Sequence, residues 1–420
     1  MRTLSILAGS SLSVVLLSHC GDSEPEPCSG SECGEGGAGG AEGGSGGASD
    51  PGFDCAPEPV LPAGAVIHSC STDEGRRCLP EDVLRRRAVA YSGYRTGQDP
   101  REKTYPSEEE ILADLEMLID AGFGLIRLFD SGTHGERTLQ VIAANELDLK
   151  VQLGVWIEGA AEDHDEENQA DIARGIALAN DYSDIVVGVS VGNETLSSWS
   201  SVLTPASDLA EYIVQVRDAI EQPVTTDEMY PPYQLNGEYS AVKEVVHVID
   251  YASVHIYAFI DAQWSWNWKQ DSVAAGPERA TAMMEAGQKF TRDALGGVRL
   301  ALLRENVDLP IVLGEIGWKT SPTKPDEAAG EKFRAHPMNQ KIFVDWLESW
   351  VYGAAHDEDS PSAAFYFEAF DEPWKGQDDG WGLFDVERRP KLVMACDFPE
   401  LVPEDAPRYT LDDAVYYVAE

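Results

Sequence analysis

From Ala88 onward, short runs of β-branched and aromatic residues alternate with longer stretches whose apolar residues recur at helical spacing. Eight runs read as strands: 88–94, 125–130, 150–157, 185–192, 223–227, 252–257, 310–315 and 363–369. Helices are predicted between them. After the first strand, Ser107 and Glu110 form a capping box ahead of an apolar stripe of Ile111, Leu112, Leu115, Leu118 and Ile119, and Gly122 ends the helix. Further helices are predicted over 168–182, 207–220, 241–249, 276–304 and 326–352, the long ones open to a break. Eight βα units predict an α/β fold, a (β/α)8 TIM barrel, whose usual size is about 250 residues plus insertions. An open doubly wound sheet is the alternative. It would carry a Gly-rich phosphate loop after its first strand, and Ser92-Gly93-Tyr94-Arg95 is not one. No internal repeat is visible.

The segments flanking the barrel differ in character. Residues 1–20 read as an export signal: Arg2, then an apolar stretch from Leu4 to Leu17, then Cys20. The end resembles a bacterial lipoprotein signal with Cys20 as the lipidated residue, although His19 stands where a small residue is usual; free secretion is the alternative. Residues 21–52 form a flexible tether, because nine of the fifteen residues from Gly34 to Ala48 are glycine and cannot bury enough surface to offset ordering. An anchor and a tether together would hold a domain off a membrane. Residues 53–87 are an N-terminal extension, 88–390 the barrel and 391–420 a C-terminal tail.

Charge narrows the partners. With 31 Lys+Arg against 74 Asp+Glu, the net charge of −43 repels phosphates and anionic lipid, which excludes nucleic acid and favours a neutral or cationic partner. Without Cys20, six cysteines remain, and in an exported chain they suggest disulfides, with 15 connectivities open. Barrel closure brings the segments flanking the first and last strands together. Cys396 should therefore bond one of Cys55, Cys70 or Cys78, most simply leaving Cys70 with Cys78 if Cys55 is taken; a free buried Cys396 thiol is the alternative. Cys28 and Cys33 remain in the tether. No cysteine or histidine cluster has metal spacing, and His134, His164, His247, His255 and His336 are given no ligand role; His255, two before Tyr257, is read as lining the barrel.

In such barrels the chemistry lies at the C-terminal ends of the strands. The fourth ends Val191-Gly192-Asn193-Glu194 and the seventh Leu313-Gly314-Glu315-Ile316-Gly317-Trp318. Two carboxylates facing each other across the barrel mouth are what glycoside hydrolysis requires, one as acid and one as nucleophile or base. These segments, with Tyr91-Ser92-Gly93-Tyr94-Arg95, Pro106–Ile111, Gly124–Gly132 and Phe367-Glu368-Ala369-Phe370-Asp371-Glu372-Pro373-Trp374-Lys375, resemble glycoside hydrolase family 17, the β-1,3-glucanase family, in its bacterial and fungal cell-wall branches. Lys319 and Thr195 depart from that family's pattern.

By position, the resemblance implies that Glu194 is the acid/base and Glu315 the nucleophile, with carboxyl groups about 5–5.5 Å apart, the retaining spacing. Arg127 and Tyr257 are expected as donors to Glu315, and Asn193 as the ligand of the sugar 2-hydroxyl. Asn193-Glu194-Thr195 also spells an N-glycosylation sequon, which a place in the barrel mouth makes a false positive. Tyr94, Asp130, Trp318, Glu372, Trp374 and Lys375 are the other substrate-binding candidates. Trp156, Trp199 and the Trp264-x-Trp266-x-Trp268 run are either sugar platforms or packing residues. The reading is an exported retaining β-1,3-glucanase that needs no cofactor or metal, acts as a monomer and takes a β-glucan polysaccharide or oligosaccharide. A glucanosyltransferase, and a cell-surface carbohydrate-binding protein without catalysis, are the alternatives.

Overall fold

The computed structural model describes Cys55, residues 59–234, 239–274, 276–322, 330–407 and Tyr409. Cys20, Cys28, Cys33, the signal and the tether lie outside the described residues. Eight parallel strands close a barrel in chain order: β1 (Arg87–Ala90), β2 (Phe123–Leu128), β3 (Lys150–Val155), β4 (Val186–Asn193), β5 (Val224–Met229), β6 (Ala252–His255), β7 (Ile311–Ile316) and β8 (Ala363–Tyr366). Closure runs through Ala88 opposite Phe365 and Val89 opposite Tyr366. The strands are nearly continuous apolar runs because both faces are covered, the inner by the barrel core and the outer by helices. Several are shorter than their β-like composition predicts: after Ala90, His255 and Tyr366 the chain leaves the ladder to build the mouth.

The helix Glu108–Asp120 carries the expected reciprocal Ser107–Glu110 cap and buries Ile111, Leu115 and Leu118. Two helices differ from expectation. Thr133–Ala144 was not read from the pattern; Gly135 sits in its first turn, where a Cβ would lie 2.1 Å from the Asp130 carbonyl oxygen. The helix between β3 and β4 spans Ala161–Asp181 with a kink at His164 (φ −132°), so a first turn bearing Glu162 and Asp163, suited to the positive helix N-terminus, precedes the expected start at 168. The long helix read over 326–352 takes the break open to it: Glu331–Arg334 and Pro337–Tyr352 stand separately, divided at Pro337, with residues 323–329 outside the described part.

The N-terminal extension plugs the closed end of the barrel. Ile67, Leu79, Val83 and Leu84 bury themselves against Ala88, Leu125, Val312, Ala363 and Phe365. Cys70 is bonded to Cys78 within the extension, and Cys55 to Cys396 in the tail. The main-chain N–H of Arg77 donates to Asp250, which also binds Arg217, so the extension is tied to the β5–β6 side as well.

Candidate active site

The site is built from strand ends. β4 departs from regular pairing between Ser190 and Asn193, and two residues there adopt left-handed backbone, Gly192 at φ 85° and Glu194 at φ 55°. Gly192 takes that conformation without penalty, whereas Glu194 must be held in it. Such an irregularity re-aims a side chain, and here it turns Glu194 into the mouth. Register then places Asn193 beside Asp227 and His255 beside Glu315. Gly314 keeps the centre open, since a Cβ there would stand 2.4 Å from Ser253 Oγ and 3.0 Å from Asp227 Oδ1.

Arg127 is the hub. Fully buried, it donates from Nε to Asp227 Oδ2 at 2.8 Å, from one terminal nitrogen to Glu315 Oε1 at 2.5 Å and from the other to Asn193 Oδ1 at 2.5 Å. Because Asn193 accepts with its oxygen, its amide nitrogen is left to donate elsewhere. Tyr257 donates its hydroxyl to Glu315 Oε2 at 2.5 Å. Gln152 Nε2 supports Asp227 from below at 3.2 Å, and Tyr251 donates to Gln152.

The two glutamates differ in exposure: the Glu194 side chain is 33% exposed and that of Glu315 8%. His255 joins them. Its Nδ1 lies 2.8 Å from Glu194 Oε1 and 3.6 Å from Glu315 Oε2, and one oxygen of each carboxylate falls within 4.8 Å of the other. Burial alone would raise Glu315, but His255, Arg127 and Tyr257 outweigh it and hold the carboxyl below its ordinary range. Burial pulls His255 down, and Glu315 together with the bond to Glu194 overcomes this and raises it. Tyr257 is pushed well up by burial and by Glu315, so its hydroxyl stays a donor. Among the described residues, Glu194, His255 and Glu315 are the one group of three side chains able to share a metal ion, and Arg127 already occupies one oxygen of that group.

A second polar knot rims the mouth after β8. Lys375 lies between Glu368 and Glu372, 2.7 Å from the latter. Glu372 also accepts from Ser92 Oγ at 2.7 Å and from the Tyr94 N–H at 2.9 Å. Burial raises both carboxyls; Lys375 and the other donors bring Glu372 below its usual value, while Glu368 remains well above. Tyr94 stacks on His134 with ring centres 5.3 Å apart and meets Trp374 edge-on at 6.0 Å.

The structure thus brings Arg127, Asn193, Glu194, Tyr257 and Glu315 together, with Tyr94, Glu372, Trp374 and Lys375 forming a neighbouring group after β1 and β8. Asp130 turns aside: its Oδ1 accepts the Gly132 N–H at 2.7 Å in the turn that starts the next helix. Trp318 is a correction. It is fully buried between Phe259 and Phe343, donating to the Arg334 carbonyl, and cannot offer a face to a sugar. In the tryptophan run, Trp266 and Trp268 stack on Phe290 and Phe333, while Trp264 is 74% exposed; Trp199, on the loop after Glu194, is 58% exposed. Sequence reasoning gave His255 no more than a place in the barrel and left Asp227, Glu228 and Glu368 without a role. The available signal was two acids closing the β5 run Val224-Thr225-Thr226.

Residues 88–389 match the model of the BtgE/BtgC glycoside hydrolase domain. This overturns the expected family 17 assignment. Most of the motifs behind that expectation sit at strand ends, where the chemistry itself constrains them, so they do not separate families that share it. The chain is 26% identical over 321 residues to "Probable glucan endo-1,3-beta-glucosidase btgC" of Aspergillus clavatus, covering 68% of this chain and 39% of that protein. It is 26% identical over 284 residues to "Glucan 1,3-beta-glucosidase" of Arthroderma benhamiae, covering 64% of this chain and 80% of that one. The chain therefore spans about two fifths of the Aspergillus relative. An endo-laminarinase structure from Formosa Hel1_33_131 superposes with a TM-score of 0.68 at 22% identity, over 77% of this chain and 90% of that one, a likeness of fold.

Proposed function

From the premise that the chain belongs to the BtgE/BtgC glycoside hydrolase family, we propose that it is a retaining glycosidase that cleaves β-1,3-glucan. The substrate follows the names of its relatives, and the mechanism rests on one observation: oxygens of Glu194 and Glu315 lie within 4.8 Å of each other. Inverting enzymes hold their carboxyl groups about 6.5–9.5 Å apart to admit a water, and retaining ones hold them at about 5–5.5 Å. Glu315, ionised and fixed by Arg127 and Tyr257, attacks the anomeric carbon. Glu194, the more exposed of the two, protonates the departing glycosidic oxygen and then takes a proton from the water that releases the glycosyl-enzyme. Asn193 directs its free amide nitrogen at the sugar 2-hydroxyl, a contact that strengthens as the transition state forms.

The test is product analysis with laminarin. Hydrolysis is expected to release reducing ends in proportion to bonds cut, and Glu315→Ala to abolish release. Oligosaccharides longer than the starting chains, formed without new reducing ends, would instead identify a glucanosyltransferase. Glucan retention by the protein with no product of either kind would contradict catalysis altogether.

Export to the cell surface on a lipid at Cys20, with residues 21–52 as the tether, belongs to the same proposal and is supported by the sequence of 1–52 and by the disulfides of the extension and tail. Cys20→Ser is expected to move the protein from the membrane fraction to the medium; an unchanged distribution would contradict the anchor.

A further inference from the structure

We propose that Glu228 is a positioning residue for Glu194, acting through the backbone of residues 194–196; the proposal rests on the reading of Glu194 as the acid/base. Glu228 lies on β5 and is fully buried. Its Oε1 accepts the Thr195 N–H at 3.0 Å and the Thr195 hydroxyl at 2.6 Å, and Oε2 accepts the Leu196 N–H at 3.0 Å. The Thr226 hydroxyl adds a longer contact to Oε1 at 3.3 Å. Both peptide N–H groups that follow Glu194 are therefore pinned to one carboxylate. The N–H of Glu194 itself donates to the Asp227 carbonyl at 2.7 Å, so β5 supports three successive peptides at this point.

Backbone strain and the cost of burial both give this arrangement a purpose. Glu194 occupies left-handed backbone at φ 55°, which a residue with a Cβ keeps only where its surroundings over-determine it. Without the Glu228 bonds, the peptides after Glu194 lose their buried acceptors, and the turn can relax toward ordinary backbone. Such a relaxation would swing the acid away from the glycosidic oxygen. Among the described residues, Glu228 forms no ion pair with a lysine or arginine, and burial pushes its carboxyl up to about 7 against the pull of Thr195, Leu196 and His255, so its place is expensive. Packing alone would be served more cheaply by an apolar residue. What the site demands is an acceptor at both oxygens, which only a carboxylate offers. Gln has one acceptor, and either orientation of its amide would aim an N–H at the Thr195 pair or at the Leu196 N–H.

The experiment compares kcat/KM on laminari-oligosaccharides with that on a dinitrophenyl laminari-oligosaccharide, whose leaving group needs no protonation. Glu194→Ala serves as the reference for a lost acid. Glu228→Gln is expected to lower kcat/KM on the natural substrate by about 10²-fold, the scale of a 1 Å misplacement, and on the dinitrophenyl substrate by less than about 5-fold. Thr195→Val, which removes one donor with little change of volume, should show the same split more weakly, and Thr195→Ser should restore wild-type behaviour. Circular dichroism and thermal unfolding identify variants that are folded at the assay temperature, and the threonine pair carries the test if Glu228→Gln is not. Equal losses on both substrates in a folded variant, or no loss, would overturn the proposal, as would Thr195→Ser behaving like Thr195→Val. If Glu194→Ala itself shows no split, the acid/base reading fails and the positioning role falls with it.

Discussion

Replacing Tyr257 with Phe removes a single oxygen from the site. That hydroxyl donates to Glu315 Oε2 at 2.5 Å, and both residues are buried. His255 Nδ1 lies 3.6 Å from the same oxygen. A hydrogen bond to a buried charged group is worth about 1.5–3 kcal/mol. Since 1.36 kcal/mol corresponds to one pKa unit, its loss should raise the pKa of Glu315 by about 1–2. The sign follows from the role: Glu315 attacks only when ionised, and the wild-type surroundings hold it below the ordinary carboxylate range. The acidic limb of the kcat/KM profile should therefore move to higher pH by the same amount, while the basic limb stays in place. Because His255 Nδ1 lies 3.6 Å from Glu315 Oε2, the limb is a property of that pair. Reducing-end release from a soluble laminari-oligosaccharide, measured across pH for both proteins, reads the shift. Stability at neutral pH should fall by the same amount, about 1.5–3 kcal/mol, because the bond stabilises the ionised carboxyl only in the folded state, while Phe keeps the ring contacts with Phe367 and Trp381. A lower plateau with an unmoved acidic limb would refute the reasoning and place the Tyr257 hydroxyl on the substrate instead.

Two further outcomes are expected. Arg127→Met leaves Asp227 and Glu315 buried without their shared cation, and should destabilise the fold by about 3–5 kcal/mol in denaturant titration; a loss below about 1 kcal/mol would contradict its place as hub. Replacing Cys55 and Cys396 together by Ser opens a loop with a sequence separation of 341, and should lower stability by up to about 6 kcal/mol on the chain-entropy account; finding Cys396 alkylated and unlinked in native peptide maps would contradict the clasp.

The barrel was legible because parallel strands covered on both faces are written as unbroken apolar runs, and because Ser107 and Glu110 mark a helix start by local chemistry. Glu194, Glu315, Arg127 and Tyr257 could be singled out because each ends or lies within a run whose position around a barrel is countable. Other features are set by contacts that linear order does not encode. The helix Thr133–Ala144 depends on Gly135 fitting against the Asp130 carbonyl. His255 acquires its place between the two glutamates from the β6–β7 register shift at Val254/His255. Glu228 reads as one more strand-end acid until the turn of β4 is seen folded over it. Trp318 misled for the opposite reason: its neighbour Glu315 faces the mouth, while the chain after it turns Trp318 into the layer between barrel and helices.

The closeness of Glu194 to Glu315 carries the account, and the stereochemistry of the first product tests it most directly. Proton NMR of laminarin digestion, recorded before mutarotation equilibrates the new reducing ends, distinguishes the two anomers. A glycosyl-enzyme on Glu315 inverts the anomeric centre twice, so the β-anomer should appear first and the α-anomer grow in only at the rate of mutarotation. Initial appearance of the α-anomer would mean a single displacement by water, and would contradict a nucleophilic Glu315.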